Sequence, residues 1–492
     1  YTLDAMGNRV QEQVLDPLGS LAQTRSRAYD ALSRLAQEIG AQDQTTAYAY
    51  DAQGNVVSVT DPLGHLTANG YDALNRLVQV TDPALGVTRY AYDGIDQLTG
   101  VTDPRGLATS YAYDGLSNLN RQVSPDTGTT SSTYDAAGNL LAQTDAKGQT
   151  TSYAYDALNR VASIAFADGS RQVYTYDRGP NALGRLAQIT EIDAGALTTG
   201  ELAYAYDLHG RVVSETRTLA GVSYATAYRY DAAGRLVGTT YPSGRQIAYG
   251  LDPLGRIASV ATVAPGGAAQ DVALDVAYQP FGGVRGYTLG NGQPVVRGYD
   301  RDGRIASYNL PGKTFAIGYD AAGRVSFVAD AANAASANSY GYDALDRLTS
   351  AVIPGNQYSY AYDAVGNRIS KTVGSATDTY AYSAASNRIA RITAQAGAVR
   401  NFLLDANGST TDDGVNRYAY DARGRMAQSV GALGTTAYQV NALGQRVRKT
   451  GAGDDRVFHY DTKGRLIAES DPDGKTRREY LWLGDIPLAV IQ

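Results

Sequence analysis

Tyr71-Asp72-Ala73-Leu74-Asn75-Arg76-Leu77-Val78-Gln79-Val80-Thr81-Asp82-Pro83-Ala84-Leu85-Gly86-Val87-Thr88-Arg89-Tyr90-Ala91-Tyr92 carries two turn signals about ten residues apart, joined by short β-rich runs, which is the pattern of a hairpin. Asp72 suits the opening position of a type I turn. Three residues on, Asn75 tolerates the positive φ that closes a G1 bulge. The second turn opens with Asp82-Pro83, where Pro presets φ, and Gly ends it. Tyr90 and Tyr92, two residues apart, project to one face.

The Tyr-Asp dipeptide recurs at 29, 50, 71, 92, 113, 134, 155 and 176, an unbroken 21-residue interval. It continues in looser register at 206, 230, 299, 319, 342, 362, 420 and 460, with degenerate copies at Leu3-Asp4, Leu251-Asp252, Tyr382-Ser383 and Val440-Asn441. The residues expected to carry the repeat are Tyr50, Asp51 and Gly54, then Tyr71, Asp72 and Asn75, then Tyr92, Asp93, Tyr113 and Asp114, then Tyr134, Asp135 and Gly138, then Tyr155, Asp156 and Asn159. Gly holds the bulge position again at Gly234, Gly323 and Gly366, and Asp346, Ser33 and Ser386 substitute for it elsewhere. The second turn recurs as Asp61-Pro62-Leu63-Gly64, Asp103-Pro104-Arg105-Gly106 and Asp145-Ala146-Lys147-Gly148.

Tyr pairs such as Tyr111/Tyr113, Tyr153/Tyr155 and Tyr360/Tyr362 predict a Tyr ladder running across the strands. After each first turn comes an aliphatic packing residue, among them Leu35, Val56, Leu77, Leu98, Leu119, Leu140, Val161, Leu236, Val325, Leu348 and Ile369. A second apolar site at Val59, Val80, Val101 and Ile164 lies three residues further on, an odd offset. Strict alternation puts it on the opposite face, and a bulge would restore it to the same one.

The array covers residues 1–492: regular units over 29–177, looser units with longer hairpin loops over 178–298, further units over 299–470 and a terminal segment over 471–492. Residues 331–338 read as a brief helix or a loop tip. The first residues have neither an initiator Met nor a signal-peptide pattern, so the chain reads as a segment of a longer polypeptide.

With 43 basic and 49 acidic residues, the chain has no general attraction for nucleic acid or anionic membrane, and no apolar run reaches the roughly 18 residues a spanning helix needs. The absence of Cys excludes thiolate chemistry and disulfides. Tyr 38 against Phe 6 and Trp 1 favours sheets with a partly wet face. His65, His209 and His459 lie in separate repeats without metal-ligand spacing. Repeated Asp is accounted for by turn chemistry, which leaves no special carboxylate pair for catalysis. The repeated Arg, at Arg34, Arg76, Arg160, Arg235, Arg324 and Arg368, is expected to pair with neighbouring turn Asp. Gly282-Gly283 and Gly290-x-Gly292 lack the Lys-Ser/Thr of a phosphate loop, and Asn407-Gly408-Ser409 is a lone sequon. No cofactor, metal or catalytic residue is expected.

Units of the form Tyr-Asp-x-x-Gly-Arg-Leu resemble the Rhs/YD-repeat family, which includes bacterial polymorphic toxins, cage-forming subunits of insecticidal toxin complexes and animal teneurins. Arg478-Glu479-Tyr480-Leu481-Trp482-Leu483-Gly484-Asp485-Ile486-Pro487-Leu488-Ala489 looks like the sequence that follows the last regular repeats of bacterial Rhs proteins. The resemblance implies an all-β fold in which a long antiparallel hairpin sheet spirals into a curved or hollow shell around a C-terminal toxin. Self-cleaving members carry a D-P-x-G-L-x-G-G-x-N motif; Asp16-Pro17-Leu18-Gly19, Asp252-Pro253-Leu254-Gly255 and Asp471-Pro472-Asp473-Gly474 lack its continuation, so no protease residues are carried over.

About 23 two-strand units at roughly 4.8 Å per strand give a sheet about 220 Å long, enough to wrap a cargo of about 100 residues about once. The expected role is a non-enzymatic shell segment of a secreted or cell-surface bacterial protein. Its implied partners are a C-terminal toxin cargo of the same polypeptide and a secretion-system spike or toxin-complex subunits. The competing reading is an extracellular adhesion or carbohydrate-binding protein whose Tyr rows stack on sugars.

Overall fold

The computed structural model describes residues 1–451 and 453–492. These form 47 strands and no helix. The first 37 strands, from Thr2–Leu3 to Val399–Asn401, make one antiparallel meander, and ten more, from Leu403–Leu404 to Ile486–Ile491, make a second. Strands pair with their neighbours in sequence, as Thr45–Tyr50 does with Val56–Thr60 and that strand with Leu66–Tyr71. The Arg400–Asp413 ion pair, at 2.8 Å, spans the join between the two sheets.

Both turns of a unit use the same chemistry. Asp72 Oδ1 accepts the N–H groups of Leu74 and Arg76, and Asp61 Oδ1 accepts those of Leu63 and His65. The fourth turn residue is left-handed, with φ +95° at Gly54, +61° at Asn75, +62° at Asp346 and +59° at Ser33. Ser386 departs from this. Its turn is one residue longer, closing from the Ser383 N–H to the Arg388 carbonyl, and Ser386 keeps negative φ.

The odd offset of the second apolar site is resolved by a bulge. Tyr92 faces Leu98, the register then shifts, and Tyr90 faces Val101. The extra residue brings Leu98 and Val101 onto the face of the two Tyr rings. Tyr113/Leu119, Tyr134/Leu140 and Tyr155/Val161 repeat the shift. In the unit that starts at Tyr362, Arg368 occupies the aliphatic position, leaving Ile369 41% exposed, so Ile369 is not a packing residue.

Several expectations change. Residues 331–338 form neither a helix nor a loose tip: Asn333–Tyr342 is a strand, and Asp330 Oδ1 accepts the Ala332 N–H in the turn before it. The first turn of 178–298 is long, closing from Asp177 to Arg185, but 262–298 consists of short turns between long strands such as Ala269–Tyr278. Tyr278-Gln279 and Leu404-Asp405 are further units that sequence periodicity missed.

Candidate functional site: the seam between coils

Each unit is fastened to the one before it. The Tyr50, Tyr71, Tyr92, Tyr113, Tyr134 and Tyr155 hydroxyls donate to the carbonyls of Leu35, Val56, Leu77, Leu98, Leu119 and Leu140, at 2.8 to 3.1 Å. Arg binds in the other direction. Arg76 pairs with its own turn Asp72 at 2.7 Å, donates to the Asp93 carbonyl of the next unit at 2.9 Å and stacks over the Tyr92 ring. Arg34, Arg324 and Arg347 do the same with Tyr50, Tyr342 and Tyr362. The Asp72 carboxyl is held below its usual pKa, first by the Arg76 backbone N–H and then by the guanidinium, against a desolvation that opposes them. For Asp51, Asp114 and Asp135 the leading cause is the side-chain amide of Asn55, Asn118 or Asn139.

The predicted Tyr ladder does not form. Tyr-bearing strands alternate with partner strands, so equivalent rings stand two strand spacings, about 9.6 Å, apart. Among the described residues, ring pairs in contact are few, such as Tyr204 with Tyr206. Arg and aliphatic side chains fill the intervals.

The long-range contacts recur at a nearly constant separation in strands. Asp302 accepts the Ala41 N–H at 2.8 Å and the Gln44 amide at 2.6 Å. Arg105 donates to the carbonyls of Ser383 and Ser386 and to Asn387 Oδ1 at 2.7 to 3.0 Å. Asp126 accepts the Asn387 N–H, and Asn407 donates to Asp145 Oδ2, both at 2.6 Å. Lys147 pairs with Asp405, and Glu191 with Arg423, each at 3.4 Å. The partners stand 22 to 25 strands apart, so the ribbon coils back on itself within one such interval and runs through nearly two circuits. A circuit of about 24 strands measures roughly 115 Å across the strands, tighter than the single wrap expected from sequence.

The seam has two chemically distinct edges. In the first circuit it is built from second-type turns, at Gly40–Gln44, Asp103–Gly106, Ser124–Thr127 and Asp145–Gly148. In the second circuit it is built from Tyr-Asp-type turns, at Asp300–Gly303, Ser383–Arg388, Asp405–Gly408 and Asp421–Gly424. Gly408 has φ +86°, and a Cβ there would stand 2.4 Å from the Asp126 carbonyl oxygen. The sequon Asn407-Gly408-Ser409 lies in this contact.

Further along, the terminal strands lie over a face of the first circuit. Ile467, Leu481 and Leu483 pack with Tyr241, Ile247, Tyr249 and Val260 in the largest buried cluster, and the Tyr241 hydroxyl donates to the Tyr480 carbonyl at 2.8 Å. Beside it His459, 4% exposed, packs against the Tyr224 ring, tilted by 44° with centroids 4.5 Å apart, and shares a 2.8 Å hydrogen bond with Ser470. Burial drives the His459 pKa down to about 3, and the Arg217 guanidinium adds to the fall. Burial also raises Glu191 and Glu215, partly offset by Arg423 and Arg217. His65 binds its turn Asp61 at 2.9 Å, and His209 is exposed. Among the described residues no three His, Cys, Asp or Glu groups converge as metal ligands, and no helix is long and apolar enough to cross a membrane.

The array therefore defines a coiled wall of Tyr-Asp hairpins. Models of the RHS repeat match residues 29–66, 71–108, 92–129, 134–171, 206–246 and 230–269, and the Teneurin YD-shell model matches 334–480. The chain belongs to the Rhs/YD-repeat family. No curated protein sequence matches it significantly. Two solved structures show the fold: TcdB2-TccC3, at 16% identity and TM-score 0.73, covering 98% of this chain, and a Tc holotoxin pore of Photorhabdus luminescens, at 15% identity and TM-score 0.69, covering 93%. The chain spans 32% and 30% of those two chains, about a third of their length.

Proposed function

We propose that this wall encloses a toxic or unfolded domain of its own polypeptide during export, and that it does so without catalysis. The carrying observation is the seam, whose hydrogen-bonded contacts recur from Gln44–Asp302 to Arg217–Gln445 and turn an open ribbon into a curved enclosure. Its partners are the enclosed cargo and the exported complex or spike that delivers it. The Tc toxin structures of like fold support this, as does the use of the repeated Asp and Arg in turns. The adhesion reading loses support at the second Tyr of each pair, as at Tyr92, whose hydroxyl is latched to a carbonyl and whose ring lies under a guanidinium. The test is a reporter domain fused after Gln492 and exposed to protease. Enclosure predicts that the reporter survives until the wall is unfolded, and digestion at the rate of free reporter would overturn the proposal.

A further inference from the structure

The two edges that meet at the seam carry charges of alternating sign. Arg105, Asp126 and Lys147 tip consecutive second-type turns of the first circuit, and Glu191 follows them along the same edge. Asp363, Arg388, Asp405 and Arg423 belong to four consecutive Tyr-Asp-type turns of the second circuit. The two series meet plus to minus. Arg105 lies 3.6 Å from Asp363, Lys147 lies 3.4 Å from Asp405 and Arg423 lies 3.4 Å from Glu191. Between the first two pairs, Arg388 donates to the Asp126 carbonyl at 2.7 Å, while the Asp126 carboxylate accepts the Asn387 N–H.

The turns do not require these charges, because Leu63 and Ala84 hold the same tip position earlier on the first edge. Nor do such pairs add much stability while they remain in reach of water. The array does need a way to tell one unit from the next. Its 21-residue period makes the edge repeat itself every two strands, roughly every 9.6 Å, so a circuit two strands longer or shorter would bring nearly the same backbone shapes together. Side chains have to separate these registers.

We propose that the alternating charges of Arg105, Asp126, Lys147 and Glu191 against Asp363, Arg388, Asp405 and Arg423 select the register in which the ribbon closes on itself. A slip of one unit toward the C-terminus carries Arg105 to the Arg388 turn, Asp126 to the Asp405 turn and Lys147 to the Arg423 turn. A slip the other way carries Asp126 to the Asp363 turn, Lys147 to the Arg388 turn and Glu191 to the Asp405 turn. Either movement sets like charges together three times over. Opposed signs fix a pairing chiefly by penalising the wrong ones, and side chains only 13–23% exposed in the three ion pairs feel that penalty with little screening. The inference rests on the coil alone and holds whether or not a cargo is enclosed.

The test uses spin labels on the full chain, which has no native Cys. A Cβ at Gly128 would stand 3.0 Å from the Ala406 carbonyl oxygen, so Thr127→Cys and Ala406→Cys mark the native register, and Thr127→Cys with Ala422→Cys marks the next unit. In the wild-type background the 127–406 distance should be the shorter of the two. The sign-inverted variant, Arg105→Glu with Asp126→Lys and Lys147→Glu, matches the register one unit on, and the order of the two distances should reverse. The sign-preserving variant, Arg105→Lys with Asp126→Glu and Lys147→Arg, should keep the native order. An unchanged order in the inverted chain would overturn the proposal. So would a changed order in the sign-preserving chain, which would assign the register to the fit of Arg105 against the Ser383–Arg388 turn. If the inverted chain fails to fold, the neutral variant Arg105→Gln with Asp126→Asn and Lys147→Gln decides: two 127–406 populations are expected, and a single native one would overturn the proposal.

Discussion

The Tyr92 hydroxyl donates to the Leu77 carbonyl at 3.0 Å, and Leu77 is the first strand residue after the preceding unit's turn. The bond ties each unit to its predecessor independently of side-chain identity at the acceptor. Tyr92→Phe should therefore cost about 1 kcal/mol, read as a lower guanidinium midpoint with unchanged slope. Tyr90→Phe is the control: among the described residues its hydroxyl has no protein hydrogen-bond partner, and the midpoint should not move.

Arg105 should matter more than the turn Arg residues, because its guanidinium satisfies two carbonyls and an amide of the second circuit. Arg105→Ala leaves them unpaired in a partly buried seam, at about 1–3 kcal/mol for each group that water cannot reach. Arg105→Lys should fail to restore the loss, since an ammonium cannot reproduce the planar fork. Faster hydrogen exchange confined to residues 383–388 and 103–106 is the expected signature.

Two glycines separate backbone strain from seam packing. Gly54 has φ +95° and open space around a notional Cβ, whereas Gly408 has φ +86° and the Asp126 carbonyl in the way. Gly54→Ala should cost about 1–2 kcal/mol, the usual left-handed penalty. Gly408→Ala should cost distinctly more and raise protease sensitivity at both Asp126 and Ala406.

Acid should loosen the end of the coil before it melts the turns. The His459 pKa, near 3 when folded, lies below the ordinary value of 6.5, so the native state binds fewer protons than the unfolded one between those values. Its stabilising contribution is complete above pH 6.5 and is lost as pH falls toward 3. His459→Gln should flatten this slope in melting curves taken across that window. Turn carboxyls such as Asp72 and Asp135, with depressed pKa values, lose their contribution only on further acidification, below the ordinary 3.8. Glu191 and Glu215, raised by burial, favour the protonated native state and oppose the loss.

The turns and the strand order were legible in sequence because they are local: Asp, the left-handed residue and the 21-residue period each act within one unit. The bulge between Leu98 and Val101 left only an ambiguous odd offset, since a single inserted residue has no compositional signature. The Tyr ladder misled because sequence shows that rings share a face, not that partner strands separate them. The seam was invisible because its partners lie more than 220 residues apart. It left no trace at the third turn position either, where the bridging Asp302, Asn407 and Arg423 share their circuit with Leu345, Val365 and Leu443.

The coil itself is tested most directly by a distance across the seam. With no native Cys, spin labels can be placed at Lys147→Cys and Ala406→Cys, beside the Asn407–Asp145 contact. Double electron–electron resonance should give one narrow, short distance. In a flat or rod-like ribbon the same sites would lie about 24 strands, roughly 115 Å, apart, and the absence of dipolar modulation would contradict the coil.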